Sequence, residues 1–176
     1  MKIKRSAFCA VLIAYQAAAA SDVGVHVERF PNGSKKVEYQ FKTSPENSHQ
    51  RIRDGWYRRY DTEGVLRAKE TFRNGIKEGL QVWYREDGKV DREGTYVGGK
   101  RHGTYKVYYR SGQLRSRGTY ERGKLEGEFL VYYVNGRVKA QGTYKGGKRH
   151  GTYSQYGEDG QIERADFYQH GDLEIR

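Results

Sequence analysis

The sequence predicts an all-β fold, an elongated single-layer antiparallel sheet made of tandem 24-residue β-hairpin repeats. Three glycines recur with this period in five consecutive copies, without an insertion. A tyrosine, an aliphatic residue and an aromatic residue recur at fixed places between them. Such regular repetition predicts an array in which one supersecondary unit stacks on the next. The five copies are residues 55–78, 79–102, 103–126, 127–150 and 151–174.

The repeat is defined by six positions that recur in every copy. Each copy opens with a glycine, and further glycines follow nine and twenty residues later. A tyrosine stands five residues after the opening glycine, an aliphatic residue eleven and an aromatic residue seventeen residues after it. The opening glycines are Gly55, Gly79, Gly103, Gly127 and Gly151. The tyrosines are Tyr60, Tyr84, Tyr108, Tyr132 and Tyr156.

Each copy predicts one β-hairpin. The second glycine follows a polar residue, as in Asp87-Gly88 and Asn135-Gly136. These dipeptides favour a two-residue type I′ turn, because both turn positions then have positive φ. The third glycine marks the turn into the next hairpin. The strand after the first turn alternates, so we expect Leu114 and Tyr120 to lie on the same face.

A two-residue turn also predicts the register of each hairpin. It places Tyr120 opposite Gly103 and Tyr144 opposite Gly127. It also places Tyr105 opposite Gly118 and Phe129 opposite Gly142. A ring that lies over a cross-strand glycine covers bare backbone and compensates for the low strand propensity of glycine. We therefore expect the opening glycines to serve ring packing, and the recurrent tyrosines, such as Tyr108, to point to the opposite face.

Residues 21–54 resemble a degenerate leading copy. Gly24 and Gly33 are nine residues apart, and Phe41 follows Gly24 by seventeen. An insertion of seven residues around Ser44–Asn47 then precedes the first regular copy. Repeat arrays need atypical end units to cover exposed faces, so this region is expected to form an N-terminal cap. Disorder of residues 43–54 is the alternative that the sequence leaves open.

Residues 1–20 have the pattern of an export signal peptide. A short basic segment that ends at Arg5 precedes a small and apolar run, and Ala17–Ala20 offers a cleavage site after Ala20. The run is too short to span a bilayer, and no other segment predicts a transmembrane span. The alternatives are an unprocessed N-terminal helix and a lipoprotein attached at Cys9. Cleavage would remove Cys9, the only cysteine, and we expect a periplasmic or secreted chain without disulfides.

The segments Gly94–Gly112 and Gly118–Gly136 share the pattern Gly-Thr-Tyr-x-x-Gly-Lys-x-x-Gly, followed by Tyr-Tyr-x-x-Gly. This unit resembles the MORN repeat, and more closely the bacterial MORN variant found in antitoxin components of toxin–antitoxin systems. The resemblance covers residues 55–174 and, more faintly, 24–41. It implies a single-layer sheet used for protein interaction or lipid contact, and it implies no catalytic residues. The export signal is a departure from a cytoplasmic antitoxin.

No group of residues predicts an enzyme active site, a cofactor site or a metal site. Gly94–Lys100 imitates the start of a phosphate-binding loop, but Arg101 stands where Ser or Thr is required and no helix is expected to follow. His102 and His150 share a repeat position, yet two hairpins separate them by roughly 19 Å, too far to share a zinc ion. Carboxylate pairs flank tight turns, where surface charges are common. The sequence predicts a non-enzymatic chain.

Positive charge is concentrated in the third and fourth repeats. Beyond residue 20 the chain has 30 basic and 22 acidic residues, and residues 103–150 alone have 11 basic and 3 acidic. Such a surface either binds anions or only solubilises the protein. The candidate residues for binding an anion or a partner are Lys100, Arg101, Lys148, Arg149, Tyr108 and Tyr132. The four cations are expected to project from one edge of the sheet.

The sequence therefore predicts a binding module, with two hypotheses about what it binds. The first is protein–protein interaction, including antitoxin-like or immunity-like neutralisation of a toxin. The alternative is binding of anionic envelope surfaces, phospholipid or lipopolysaccharide, through the basic repeats. Nucleic acid would suit the charge, but export argues against it.

Overall fold

The computed structural model describes residues 22–174, which form one open antiparallel sheet of fourteen strands. Strands that are consecutive in sequence are neighbours in the sheet, except that short β5 pairs only with β4, and β4 then pairs with β6. No residue between 22 and 174 is helical. The predicted fold class is confirmed. The expected signal peptide, residues 1–20, lies outside the described residues.

The strand bounds follow the repeat closely from the third strand onward. The first seven strands are β1 Val23–Arg29, β2 Lys35–Thr43, β3 Arg51–Tyr60, β4 Leu66–Arg73, β5 Ile76–Lys77, β6 Gly79–Tyr84 and β7 Val90–Val97. The remaining seven are β8 Lys100–Tyr108, β9 Leu114–Glu121, β10 Lys124–Tyr132, β11 Val138–Lys145, β12 Lys148–Tyr156, β13 Ile162–Gln169 and β14 Asp172–Glu174.

The leading segment is part of the same sheet. β1 and β2 form a hairpin in which Gly24 pairs with Phe41, and β2 pairs with β3 of the first regular copy. The inserted residues form a turn, in which the Ser44 amide donates to the Gln50 carbonyl at 2.9 Å. Residues 22–43 thus occupy one end of the array, as an N-terminal cap would.

The two-residue turn lies at the opposite end of the hairpin from the predicted place. Inside a copy, the Tyr109 amide donates to the Gln113 carbonyl and the Gly112 amide donates to the Tyr109 carbonyl, which closes a three-residue loop. Only its last residue, Gly112, has positive φ, at 99°. The predicted type I′ turn is therefore wrong at this position, because such a turn needs two residues with positive φ.

Turns with two consecutive residues at positive φ do occur, between the copies. Arg122 and Gly123 have φ of 50° and 88°, and they connect the paired residues Glu121 and Lys124. The other turns of this kind are Asn74-Gly75, Gly98-Gly99, Gly146-Gly147 and His170-Gly171. The third glycine of the repeat is thus the type I′ glycine, and the second glycine closes the longer loop.

The hairpin register is nevertheless the predicted one: Tyr120 pairs with Gly103. Tyr108 pairs with Leu114 but Val107 pairs with Ser116, so one extra residue forms a β-bulge on the second strand. The three-residue loop shifts the pairing of the two strands by one residue, and the bulge shifts it back. The bulge also places Leu114 beside Tyr108, and the expectation that Leu114 shares a face with Tyr120 is wrong.

The opening glycines serve backbone conformation instead of ring packing. Gly127 has φ of 74° and stands where the pairing of β9 with β10 skips two residues, so it forms part of a bulge. It pairs with Tyr144 as predicted, but a side chain built on Gly127 would find no atom within 4 Å. Rings cover the other glycine column of the predicted register, where Tyr105 pairs with Gly118 and Phe129 with Gly142. A Cβ on Gly118 would lie 2.8 Å from the Phe129 ring, and Tyr105 and Tyr153 cover the equivalent glycines.

Neighbouring copies are fastened at both ends of their strands. At the type I′ turns, the Gly123 amide donates to the Arg101 carbonyl of the preceding copy at 2.8 Å. At the three-residue loops, the Tyr109 hydroxyl donates to the Tyr132 carbonyl at 2.6 Å, and the Tyr133 hydroxyl donates to the next equivalent carbonyl at 2.8 Å. These inter-copy hydrogen bonds matter because few apolar side chains are buried. Those that are buried are Val37, Ala68, Phe72, Leu130 and Ala140.

Ring-covered glycines and positive-φ glycines should respond differently when they are mutated together with the aromatic residue opposite. Gly118→Ala should lower the free energy of unfolding by about 1–3 kcal/mol through overpacking against Leu125 and Phe129, which lie 2.7 and 2.8 Å from the added Cβ. Gly127→Ala should cost about 1–2 kcal/mol through its positive φ, and Gly127→Asn should cost less, because asparagine tolerates that conformation. Chemical denaturation of double mutants checks this. Gly118→Ala should couple to Phe129→Ala, whereas Gly127→Ala and Tyr144→Ala should be additive; strong coupling of the latter pair would restore the ring-cover interpretation.

Candidate binding surfaces

One face of the sheet, here called the aromatic face, carries a ladder of ring pairs. The centroids of Tyr105 and Tyr120 are 5.7 Å apart, and Phe129 and Tyr144 are at the same separation. One further side chain per copy stands at the first strand, next to the rings. The residues at this position, from the leading segment to the fifth copy, are Arg53, Lys77, Arg101, Leu125, Arg149 and Leu173. Cations thus fill four of the six positions and leucine fills two.

Arg101 and Arg149 belong to this aromatic face. The Arg101 guanidinium lies 4.2 Å from the Tyr105 ring centroid and 5.2 Å from that of Tyr120. Arg149 lies 4.0 Å from the Tyr153 centroid, and its Nη1 donates to the Tyr168 hydroxyl at 2.9 Å. The expectation that these two arginines project from the sheet edge is wrong, because their guanidinium groups are packed against rings.

Lys100 and Lys148 do lie at one edge, directly after the type I′ turns, and both are exposed. Lys124, which the sequence analysis did not select, occupies the same position in the intervening copy. The stem of each lysine rests on the turn of the next copy. A Cβ on Gly123 would lie 3.8 Å from the Cβ of Lys100, and Gly147 has the same separation from Lys124.

Two further cations lie at this edge. Arg122 and Lys145 are exposed in the same turns, and we name the five residues Lys100, Arg122, Lys124, Lys145 and Lys148 the lysine edge. Glu121 is the single carboxylate in turns 97–100, 121–124 and 145–148. None of the ion pairs found within residues 22–174 includes a lysine-edge residue. Glu78 and Glu126 accept hydrogen bonds from the turn amides of Gly98 and Gly146, but within residues 22–174 neither carboxylate forms an ion pair with the lysine edge.

Tyr108 and Tyr132 lie on the face opposite the aromatic face, where they bond to the preceding copy. The Tyr108 hydroxyl donates to Glu93 at 2.8 Å, and Lys106 donates to the same carboxylate. Burial, followed by the hydrogen bond to Glu93, raises the pKa of Tyr108 to about 12. The Tyr132 hydroxyl accepts from Arg117 Nε at 3.0 Å. The structure therefore separates the six predicted residues into three places: an edge, a face and the opposite face.

Two other groups of polar side chains lie close together. The ring centroids of His150 and His170 are 5.4 Å apart, a contact that their sequence spacing did not indicate. No set of three metal-ligating side chains occurs in the described part of the chain. A cleft of about 290 Å³ between the three-residue loops is lined by Tyr84 and by three arginines and three carboxylates. Its charges balance, and Arg85 within it bonds to Asp91 at 2.5 Å.

The packing of Arg101 predicts a stability difference between adjacent cations. Arg101→Ala should lower the free energy of unfolding by about 1–2 kcal/mol, since it loses contact with two rings. Arg101→Leu, which copies Leu125, should retain most of the stability, and Lys100→Gln should change it little. Urea denaturation of the three variants measures the difference. Equal effects of Arg101→Ala and Lys100→Gln would contradict the assigned packing role.

A buried carboxylate on the face of Tyr108 predicts a dependence of stability on pH. Lys35 and Tyr60 donate hydrogen bonds to Glu38, and these bonds lower the pKa of Glu38 from 4.5 to about 2 despite its burial. A lowered folded-state pKa adds stability above pH 4.5, and this contribution is lost as the pH falls towards 2. The free energy of unfolding should fall by about 3 kcal/mol over that window. Glu38→Gln should flatten the profile, which thermal melts across pH would show.

Comparison with known proteins agrees with the repeat geometry. The model for the MORN repeat variant matches residues 77–97, 101–122, 125–145 and 149–170, with the same 24-residue period. No curated protein matches the chain. No helix in residues 22–174 has the length and apolar character needed to cross a membrane.

Among solved structures, a TarM mutant from S. aureus, in complex with fondaparinux, α-GlcNAc-glycerol and UDP, matches at 16% identity and a TM-score of 0.38. The match covers 55% of this chain and 19% of that chain, and at this TM-score it carries no argument about fold or activity. The family match is of a different kind, because it follows the repeats copy by copy. The four in-frame matches and the hairpin array show that the chain belongs to the MORN repeat family.

Proposed function

We propose that this chain is an exported, non-catalytic binding module that holds an anionic envelope surface against its lysine edge. MORN repeats are associated with binding and with protein–lipid interactions, so the coarse function, binding, follows from the family. The observation that carries the finer proposal is the change of one repeat position from isoleucine to lysine. Ile52 of the leading segment and Ile76 of the first copy occupy it, lysine occupies it in the second, third and fourth copies, and Asp172 occupies it in the fifth.

This position packs in the same way whether or not it is charged. A Cβ on Gly99 would lie 3.3 Å from the Ile76 side chain, and a Cβ on Gly171 would lie 3.4 Å from Lys148. An aliphatic stem is therefore all that the next turn requires. The amino groups of the lysines are not needed for packing and are exposed to solvent, which supports a role in binding.

The spacing of the lysines suits an extended surface. Equivalent strands of successive copies are two strand spacings apart, roughly 9.6 Å, so Lys100, Lys124 and Lys148 span roughly 19 Å. A small ligand would reach one lysine at a time, whereas a phospholipid or lipopolysaccharide surface can contact all of them. Each basic residue near an anionic membrane contributes about 1 kcal/mol, and this contribution falls with salt.

A protein partner is the second candidate, and the aromatic face favours it. This face presents half-buried tyrosines beside Arg101 and Arg149, and tyrosine and arginine are enriched where proteins bind one another. An antitoxin-like or immunity-like function would use such a face. Export is part of the proposal on the basis of residues 1–20, and it places the anionic surface in the periplasm or outside the cell.

The lysine edge can be tested with charge-matched variants. The triple variant Lys100→Gln, Lys124→Gln, Lys148→Gln removes three charges from the lysine edge. The control variant Lys89→Gln, Arg110→Gln, Arg115→Gln removes three exposed charges at or near the opposite turns. Co-sedimentation with phosphatidylglycerol vesicles, phosphatidylcholine vesicles and lipopolysaccharide micelles measures binding at low and high salt.

We expect the wild-type chain to bind the anionic surfaces and not phosphatidylcholine. The edge variant should lose roughly 100-fold in affinity, the sum of three contributions of about 1 kcal/mol, and the control should lose far less. Melting temperatures of all three proteins should agree within a few degrees. Failure of the wild type to bind at low salt, or equal losses in both variants, would refute the proposal and leave protein recognition as the function to pursue.

A further inference from the structure

The two outer strands of the sheet differ in how they are protected from pairing with another chain. β14 has three residues, and two of them, Asp172 and Glu174, are acidic. β1 has seven residues, and its central segment Val23–Val27 contains no lysine, proline or acid. Short length and charge are the usual means of preventing edge pairing. One end of the sheet is therefore protected, and at the other end no strand within residues 22–174 covers the outer edge of β1.

This outer edge of β1, here called the open edge, is apolar, and its outward backbone groups have no partner within residues 22–174. The Thr43 amide donates to the Asp22 carbonyl, so Asp22 directs its backbone towards β2. The backbone N–H and C=O groups of successive strand residues point to opposite sides of the strand. Val23, Val25 and Val27 therefore direct theirs away from β2. The side chains of these valines are also exposed, at 74%, 56% and 39%. The edge thus has both the hydrogen-bonding groups and the apolar surface for one more strand.

The valine pattern is self-complementary. When two β1 strands run antiparallel with Val25 opposite Val25, Val23 of each copy faces Val27 of the other. All three pairs are of the hydrogen-bonded type, in which each pair exchanges two backbone bonds. The intervening pairs place Gly24 opposite His26, without steric conflict between large side chains. The flanking pairs place Asp22 opposite Glu28, whose charge is already paired with Lys36 at 2.6 Å. A twofold axis perpendicular to the sheet generates this arrangement.

Charge also favours this end for contact between two copies. Residues 22–43 carry four basic and three acidic side chains, whereas residues 103–150 carry eleven and three. Contact through β1 joins the nearly neutral ends and keeps the basic repeats far apart. Contact between the basic repeats would instead bring like charges together.

We propose that β1 pairs with β1 of a second copy, so that two chains form one continuous sheet centred on Val25. The contact would place both lysine edges in one assembly, although it does not depend on their function. Specific pairing of this kind is a form of strand addition at an exposed edge.

Proline at the outward-facing positions tests the pairing directly. Val25→Pro removes an N–H that points away from β2, so it blocks a neighbour without breaking the β1–β2 hairpin. Leu173→Pro is the matched control. Asp172 pairs with Gln169 across the last turn and directs its backbone towards β13, so the N–H of the next residue, Leu173, points away from the sheet. Sedimentation velocity over a concentration series, with the N-terminus of each protein read by mass spectrometry, measures association. Circular dichroism confirms folding.

A second measurement does not depend on the proline variant. In a Cys9→Ser background, Val25→Cys should cross-link readily with a short bis-maleimide, while Val97→Cys, at a site 50% exposed, should not. We expect the wild type and Leu173→Pro to dimerise and Val25→Pro to associate at least roughly tenfold more weakly. A monomeric wild type, an equal effect of both prolines, or equal cross-linking at both cysteines would overturn the proposal.

Discussion

A sheet with one layer has no opposing layer against which to bury its side chains, and this constraint underlies the other features of the protein. Apolar contact can form only between neighbouring strands on the same face. The ring pairs, such as Tyr105 with Tyr120, use that geometry, because an aromatic ring can reach across to the next strand. Arg101 extends the same contact by lying against both rings. The result is a laterally packed ladder in place of a core.

The same constraint explains why polar groups do so much of the joining between copies. In a two-layer protein the ends of strands are covered by loops and helices, but here they face solvent on both sides. The Gly123 amide and the Tyr109 hydroxyl each bond to a carbonyl of the neighbouring copy, one at each end of the strands. On the face opposite the rings, Tyr108 bonds to Glu93 of the copy before it. The copy that begins at Gly103 is therefore attached to its neighbours at three places: a type I′ turn, a three-residue loop and the face opposite the rings.

The register was predicted from a two-residue turn and holds because a bulge offsets the extra loop residue, whereas the fold followed from the repeat period alone. The turn types could not be predicted from it. A polar residue before glycine, as in Asn135-Gly136, suits both a type I′ turn and the last position of a three-residue loop. The bulge that compensates for the longer loop leaves no mark in the sequence other than the recurrence of Tyr108 and Leu114, which pair beside it.

The binding residues were predicted less completely, because the prediction grouped residues by their position in the repeat. The repeat spacing suggests that residues which recur together act together, and Lys100-Arg101 recurs as Lys148-Arg149. The two residues of each pair separate in the structure, because the side chains of adjacent strand residues point in different directions. The arginines lie on the aromatic face and the lysines at the lysine edge. Leu125 occupies the repeat position of Arg101 and Arg149, and this was the available sign that the position serves packing. Lys124, beside Leu125, is the lysine-edge residue that the prediction omitted.

The side-chain hydrogen bond between copies has a consequence for how an array of this kind can grow. Arg85, Tyr109 and Tyr133 all donate to a carbonyl in the copy that follows, so each internal copy brings its own means of attachment. The fifth copy has Gly157 at this position and has no side chain to donate. Duplication of an internal copy would therefore produce a new unit already able to hold its successor. Duplication of the fifth copy would not, which makes the interior of the array the place where its length can change during evolution.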